Sequence, residues 1–414
     1  SSALNSINSE LEEMGEIQGA GKAMILRKIT LPLVLPAILS AVILTFSKAI
    51  GTFGTINYLG SPVQYYTLSS QLYMNINSRD TQTGFAMAIL MIIIASIAVF
   101  VNQKLIGSRK SYATIGGKGG RSTLIGLGKV GRPVITAALF VFFAVGIIMP
   151  IVILVMESFM LKEGIYSLDN FTLHYWIGES NPQIMEGLPG IFKNDEFINS
   201  LFNSLRLTLV NGVFGTIFGQ LLGYITAKGR GRLHGKLVEQ LVFIPYLIPS
   251  VAFGGIYLSM FSQPQQIFGV TLVPALYGTF ALLTLVSVVK HLPFASRAGT
   301  SNMLQISGEL EEAATIEGAG FFKRFIKIVF PLSKGGFISG FMLIFVSIMK
   351  ELDLIILIMT PTTSTLPYLA FTYQNGNSPQ ASNCVAIVMF AIVFLVYAIA
   401  NLSGKADLAK SMAG

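Results

Sequence analysis

The chain has 414 residues, 52% of them hydrophobic and 12% charged, with a mean hydropathy of +0.67 and a formal net charge of +8. A soluble domain carries roughly 25% charged residues, so the composition excludes an ordinary soluble globular protein and indicates an integral membrane protein. A single cysteine, Cys384, excludes an intrachain disulfide and, inside an apolar run, reads as a small packing residue.

Ser1 to Glu10 is polar and carries no signal-peptide pattern, and the chain reads as beginning partway through a larger unit. A polar island follows, with the order Glu13-Met14-Gly15, three residues, Gly19, nine residues, then Ile29, Thr30, Leu31 and Pro32. Apolar runs of roughly 17 to 25 residues mark candidate membrane spans. Eight such runs centre on Leu33 to Phe53, Phe85 to Val101, Val134 to Met156, Ser200 to Thr226, Leu241 to Met260, Pro274 to Val289, Phe337 to Ile358 and Val385 to Ala400. The run ending at Val289 is the shortest, and a buried helix is its alternative reading. Between the second and third spans, Gln103 to Pro133 contains Gly116-Gly117-Lys118-Gly119-Gly120-Arg121-Ser122, the composition of a flexible linker. A phosphate loop there is excluded by the missing Walker spacing and the missing preceding strand. The longest loop on the other side, Glu157 to Glu196, holds Trp176 and suits an external partner.

Lysine and arginine alternate between the two sets of loops, which sets orientation. One set holds Lys22, Arg27, Lys28, the linker cations, Lys228 to Lys236, Lys290, Arg297, Lys323 to Lys334, Lys405 and Lys410; the other holds only Arg79, Lys162 and Lys193. Both termini and the linker are thereby expected in the cytoplasm. The basic excess reads as a topogenic feature facing anionic lipid headgroups, not as a nucleic-acid site.

A second polar island, Glu311 to Leu332, repeats the first at an offset of 299 residues: Glu312-Ala313-Ala314, three residues, Gly318, nine residues, then Ile328, Val329, Phe330 and Pro331. Each island is followed by a span, a loop and a second span, so the chain contains an internal repeat. Four spans separate the linker from the second island and none precede the first. The expectation is two homologous six-span halves, the first truncated at its N-terminus by about four spans. Residues 1–102 would be the end of the first half, 103–133 the linker and 134–414 the second half, with its island helices at 309–330. In the second island, two short helices, Glu311 to Gly320 and Phe321 to Val329, are expected around a bend at Gly318 and Gly320, because glycine tolerates the backbone angles of a tight turn. Pro331 and Pro32 would open the following spans, where a missing N–H costs little. Glu311, Glu312, Lys323 and Arg324 would place charge at the rim. An island could lie on the lipid interface as an amphipathic helix; two copies at equivalent positions favour a paired docking element.

Glu-Ala-Ala, three residues, Gly, nine residues, Ile, one residue, Leu-Pro resembles the EAA motif of the binding-protein-dependent transport inner-membrane component family, the permeases of type I ABC importers. The second island departs only at Phe330; the first carries Met14 and Gly15 in place of both alanines. The resemblance implies an all-α polytopic permease fold with the first half truncated, in the bacterial plasma membrane. It also implies that Glu312, Ala313, Ala314, Gly318, Gly320 and Pro331, with Glu13, Met14, Gly15, Gly19 and Pro32, couple the chain to a cytoplasmic ATPase dimer. ATP and magnesium would then sit on that partner and no cofactor on this chain, an external substrate-binding protein would deliver the solute, and the chain itself would not be an enzyme. The degraded first motif implies that the second island makes the better-formed contact.

Fused two-half permeases of this kind are most similar to the ferric iron transport subgroup, with thiamine, phosphonate or another small solute as alternatives. The stretch Met349-Lys350-Glu351-Leu352-Asp353 is similar to one common in that subgroup. Charges within a span are costly and default to functional candidates, so Lys350, Glu351, Asp353 and Lys48 are candidate pathway or gate residues. Lys350 pairing with Glu351 or Asp353 for structural reasons is the alternative, and Arg206 is placed to snorkel. His174, His234 and His291 are scattered over loops, and no cluster has metal-ligand spacing. An ion-gradient-driven secondary transporter remains the rival function; its repeats are commonly inverted, whereas both copies here share one orientation.

Overall fold

The computed structural model describes residues 9–107, 128–184, 187–304 and 306–402. Most of the expected linker, 108–127, lies outside the described residues. The chain groups into two compact units, 1–50 with 92–151, and 51–91 with 152–414. The hairpin that follows the first repeat's leading span is thus part of the second unit.

The protein is overwhelmingly helical. Among the described residues, four helices are long and apolar enough to cross a membrane: Thr81–Val101, Gly128–Ser158, Asp195–Lys228 and Pro379–Asn401. Two bent pairs are long and apolar enough when taken together, Leu233–Leu247 with Ser250–Phe261 at 98° and Phe321–Leu332 with Lys334–Met349 at 77°. The remaining two expected spans are helices as well, Leu31–Gly51 and Phe280–Leu304. The only strands among the described residues form a small hairpin, Gln265–Ile267 paired antiparallel with Val270–Val273, turned by Phe268 and Gly269 at positive φ.

Three expectations are corrected. The sixth span does not run from Pro274 to Val289: its helix starts at Phe280, after the hairpin, and continues to Leu304. Lys290, His291 and Arg297 are therefore helical and not loop residues. The seventh does not reach Ile358, because its helix stops at Met349. The Glu351 carboxylate takes the Leu354 N–H at 3.1 Å, a local side-chain bond that competes with helix continuation. Leu354 to Met359 then form buried turns, tolerated at membrane depth only because protein surrounds them.

The second unit is held by close helix crossings. The Asp195–Lys228 helix presents Gly219 and Gly223, one turn apart, to the Phe280–Leu304 helix, and Gly215, a turn earlier, to Ile344 of the Lys334–Met349 helix. A Cβ on Gly219 would lie 2.3 Å from the Ala295 Cβ, and one on Gly223 would lie 2.4 Å from the Gly299 carbonyl carbon. Small residues at this spacing let two backbones approach where lipid offers no hydrophobic drive for association. An apolar core of Leu207, Leu282, Leu283, Val286, Ile344, Ile348 and Leu354 lies beside that seam. The loop from Glu157 folds back onto the helices around it: Tyr175 and Ile191 share a cluster with Phe197, Leu366, Leu369 and Cys384. Trp176 stacks on Phe159 at 5.6 Å.

Candidate functional site

The two islands fold alike, residue for residue. Ser9–Ile17 is matched by Gly308–Ile316, Lys22–Ile25 by Phe321–Arg324, and the π-helical turn Leu26–Thr30 by Phe325–Val329, all at the 299-residue spacing of the sequence repeat. In each, the first helix ends on a left-handed glycine, Gly19 at φ +83° and Gly318 at φ +78°. The Gly19 N–H bonds Glu16 O at 2.9 Å and the Ala20 N–H bonds Gly15 O at 3.0 Å; Gly318 and Ala319 repeat this with Thr315 O and Ala314 O at 3.0 and 2.9 Å. This is a Schellman cap, and only glycine takes its left-handed residue without strain. The π turn follows for a reason visible in the sequence. Pro32 and Pro331 lack an N–H, and the residue before each, Leu31 or Phe330, donates instead to the carbonyl five residues back.

Glu312, Ala313, Gly318, Gly320 and Pro331 are exposed and Ala314 is half-buried. In the first island Glu13, Met14, Gly19 and Pro32 are exposed, whereas Gly15 is buried. A Cβ on Gly15 would sit 3.1 Å from Ile29 and 3.2 Å from Ile25, so its smallness serves internal packing. The exposed apolar side chains form matching stripes: Leu11, Met14 and Ile17 on one helix, Leu310, Ala313 and Ile316 on the other. Ile17 and Ile316 are 85% and 86% exposed, which is costly in water.

Glu311 is not a rim charge, as the sequence suggested. It is 7% exposed; its Oε2 accepts from the Tyr224 hydroxyl at 2.6 Å, and its Oε1 meets Lys228 Nζ at 2.6 Å. Burial of that carboxylate is tolerated because both oxygens are bonded. The equivalent Glu12 accepts from the Thr30 hydroxyl at 2.6 Å. In each island, then, the glutamate one position before the motif ties the exposed helix down, and the motif glutamate itself points outward. Tyr224 and Lys228 were not singled out from the sequence, although their spacing at one helix end was the available signal.

A second polar group lies where the seventh-span helix stops. Lys350 is exposed at the helix end, and Glu351 and Asp353 are half-buried. Glu351 Oε2 lies 3.7 Å from His291 Nε2, whose ring Nδ1 is 2.9 Å from Ser287 O. Asp353 accepts from the backbone of the first repeat, Phe53 N–H at 3.1 Å and Gly54 N–H at 2.9 Å. Lys290, buried at 8% exposure, donates to Pro245 O at 2.9 Å and to Ile248 O. Those carbonyls are stranded by the 98° break at Pro249, so the ammonium caps the broken helix end. Lys48 is exposed on the Leu31–Gly51 helix. Arg206 holds its guanidinium 4.2 Å above the Phe280 ring, a cation–π contact. Among the described residues no group of three or more His, Cys, Asp or Glu could hold a metal ion.

The sequence matches the family of binding-protein-dependent transport system inner membrane components over residues 1–112 and 219–406, well over half of the chain. The chain belongs to this family. The two matched segments contain the two islands, so the repeat is a repeat of the family's own unit. Among curated relatives of this inner-membrane component, the ferric transport system permease protein FbpB of Actinobacillus pleuropneumoniae is 23% identical over 403 residues, covering 94% of this chain and 54% of that protein. The putative ferric transport system permease protein FbpB 1 of Haemophilus influenzae is 24% identical over 369 residues, covering 87% and 54%. The chain thus spans about half the length of these relatives. A crystal structure of a bacterial ABC transporter that imports alginate matches with a TM-score of 0.51 at 16% identity, covering 65% of this chain and 94% of that one. That likeness establishes the fold as the importer permease fold.

Proposed function

We propose that this inner-membrane component is the translocating part of an ATP-driven importer, powered by a separate pair of ATPase subunits and supplied by an external binding protein. The observation that carries this reading is the pair of islands, each an exposed helix with an outward apolar stripe, a rigid glycine cap and an inward glutamate tether. A docked partner would bury Leu310 and Ile316, or Leu11 and Ile17, at about 1.5–3 kcal/mol per fully buried side chain. Exposed Glu309, Glu312 and Glu317 surround the second stripe, so the receiving groove would have an apolar floor and a basic rim. Force applied there passes through Glu311 to Tyr224 and Lys228, at the end of the long helix that carries the glycine seam. ATP and magnesium belong to the partner, whose closure would move both islands and alternate the access of the pathway.

Lysine and arginine distribution supports islands, linker and both ends of this chain on the cytoplasmic side. Of the candidate pathway residues, Asp353 and Glu351 sit at a helix interruption between the repeats and Lys350 at its edge; Lys48 is kept as a candidate on charge alone. Ferric iron is the solute favoured by the two FbpB relatives, and it would pass as cargo rather than as a bound cofactor. The test is uptake into proteoliposomes holding this permease with its ATPase. Iron accumulation that requires ATP and a ferric-loaded binding protein supports the reading. Uptake that follows an ion gradient without any ATPase overturns it.

A further inference from the structure

Within the second unit, the two hairpins of the repeat lie against each other. In the first, the Leu31–Gly51 helix stops, restarts at Gly54, passes a 3-10 turn at Ser61–Val63 and continues into Leu68–Asn77. In the second, the Lys334–Met349 helix stops, turns through Leu352 to Met359, passes a 3-10 turn at Pro361–Thr363 and continues into Leu366–Asn375. Each hairpin ends on a non-glycine residue in the left-handed region, Arg79 at φ +66° and Asn377 at φ +56°.

Asp353 and Gly54, which are hydrogen-bonded at 2.9 Å, stand 299 residues apart, the repeat offset itself. Each is therefore the other's counterpart. The neighbouring contact is reciprocal in the same way: Phe53 N–H bonds Asp353, while its counterpart Leu352 packs on Gly54, where a Cβ would be 3.2 Å from Leu352 Cδ2. A residue can touch its own counterpart, with neighbouring contacts exchanged, only where a two-fold axis passes between them. The axis relating the hairpins thus runs between Gly54 and Asp353. The two sides are unequal there. One contributes a carboxylate, and the other a glycine whose bare backbone offers two N–H donors to it. Aromatic rings close around the contact: buried Phe53 lies 4.6 Å from half-buried Tyr73 and 5.6 Å from buried Phe371, centroid to centroid.

We propose that Asp353 is the lock of the closed pathway. Its carboxylate clamps the interrupted backbone of the first repeat at the two-fold axis, and the far end of the pathway opens only when it releases Phe53 N–H and Gly54 N–H. The proposal rests on the permease reading, since only a pathway between two halves runs along such an axis. It gives Asp353 a positioning role and asks no solute to bind there. Hydrogen bonds to a charged acceptor are the strong kind, and the lock holds two of them.

The test uses the permease assembled with its ATPase in nanodiscs, in a Cys384→Ser background with Ser69→Cys as reporter. Ser69 is fully buried and bonds Thr52 O at 2.7 Å, beside the clamped backbone. Modification by a charged thiol reagent is followed without nucleotide and after trapping with ATP and vanadate. With Asp353 intact, the nucleotide-free state should be protected and the trapped state reactive. Asp353→Ala should raise the nucleotide-free rate by about tenfold or more, as loss of two charge-assisted bonds implies. Asp353→Asn keeps the shape and one acceptor, assembles even where alanine does not, and should give an intermediate rate. If nucleotide drives reactivity with Asp353 intact but both variants stay protected without it, the lock is overturned and the permease reading stands. If nucleotide never changes reactivity, the permease reading is overturned and the lock with it.

Discussion

Replacing Glu311 by alanine should release the second island from the membrane helices without altering the surface it presents. The side chain is 9% exposed and holds the Tyr224 hydroxyl and Lys228 ammonium at 2.6 Å each. A hydrogen bond to a charged group contributes about 1.5–3 kcal/mol. The Lys228 side chain is 38% exposed, so its ion pair is screened and adds on the order of 0–1 kcal/mol. Together the tether stabilises the docked helix by about 1.5–4 kcal/mol, which corresponds to roughly ten- to several hundred-fold in a local opening equilibrium. Amide hydrogen exchange over Gly308 to Glu317 reads that opening directly, and transport per ATP hydrolysed reads its consequence. Glu311→Ala should speed exchange there by at least about tenfold and uncouple hydrolysis from transport. Tyr224→Phe should do the same to a smaller extent. Glu312→Ala, which alters an exposed residue, should leave exchange unchanged. Unchanged exchange in Glu311→Ala, or equal effects at Glu311 and Glu312, would refute the tether.

Other expectations follow from the same geometry. Gly318→Ala forces a left-handed backbone at φ +78° on a residue with a Cβ and should destabilise the island by about 1–2 kcal/mol; reduced ATPase copurification checks it, and Gly19→Ala should behave alike. Glu312→Lys reverses a charge on the exposed face and should weaken ATPase binding in pull-downs while thermal stability is kept. Gly223→Val puts side-chain atoms where the Gly299 carbonyl carbon already lies 2.4 Å from a Cβ, and should lower the midpoint of thermal unfolding in detergent. Lys290→Met leaves the Pro245 and Ile248 carbonyls without their buried donor and should destabilise by about 1–3 kcal/mol, read as a lower midpoint of thermal unfolding in detergent.

The islands were legible because their rules are local. A left-handed glycine, a proline that cannot donate and a fixed spacing between them write the Schellman cap and the π turn into the sequence twice. The helix Phe280–Leu304 was not legible as it stands. Lys290, His291 and Arg297 look like loop residues by charge, and only the broken helix at Pro249, distant in sequence, supplies the carbonyls that let Lys290 be buried. Glu311 and Glu312 are likewise indistinguishable in the sequence, and helix phase against Tyr224 decides which of them faces in. The seventh span ended early because Asp353 and Glu351 bond backbone N–H groups, two of them 300 and 299 residues away, a relation that hydropathy does not register. The glycines Gly215, Gly219 and Gly223 were present as a spacing, but their partners Ile344, Ala295 and Gly299 needed the fold.

The central claim is that the two islands transmit ATPase closure to this membrane chain. The most direct measurement is ATP-dependent uptake in proteoliposomes, with Ile17→Asp and Ile316→Asp substituted singly and together in the two stripes. The account predicts that each substitution lowers uptake and ATPase binding while the membrane fold is kept, with the larger loss at Ile316 and near-complete loss in the double variant. Full ATP-dependent uptake by the double variant would contradict it.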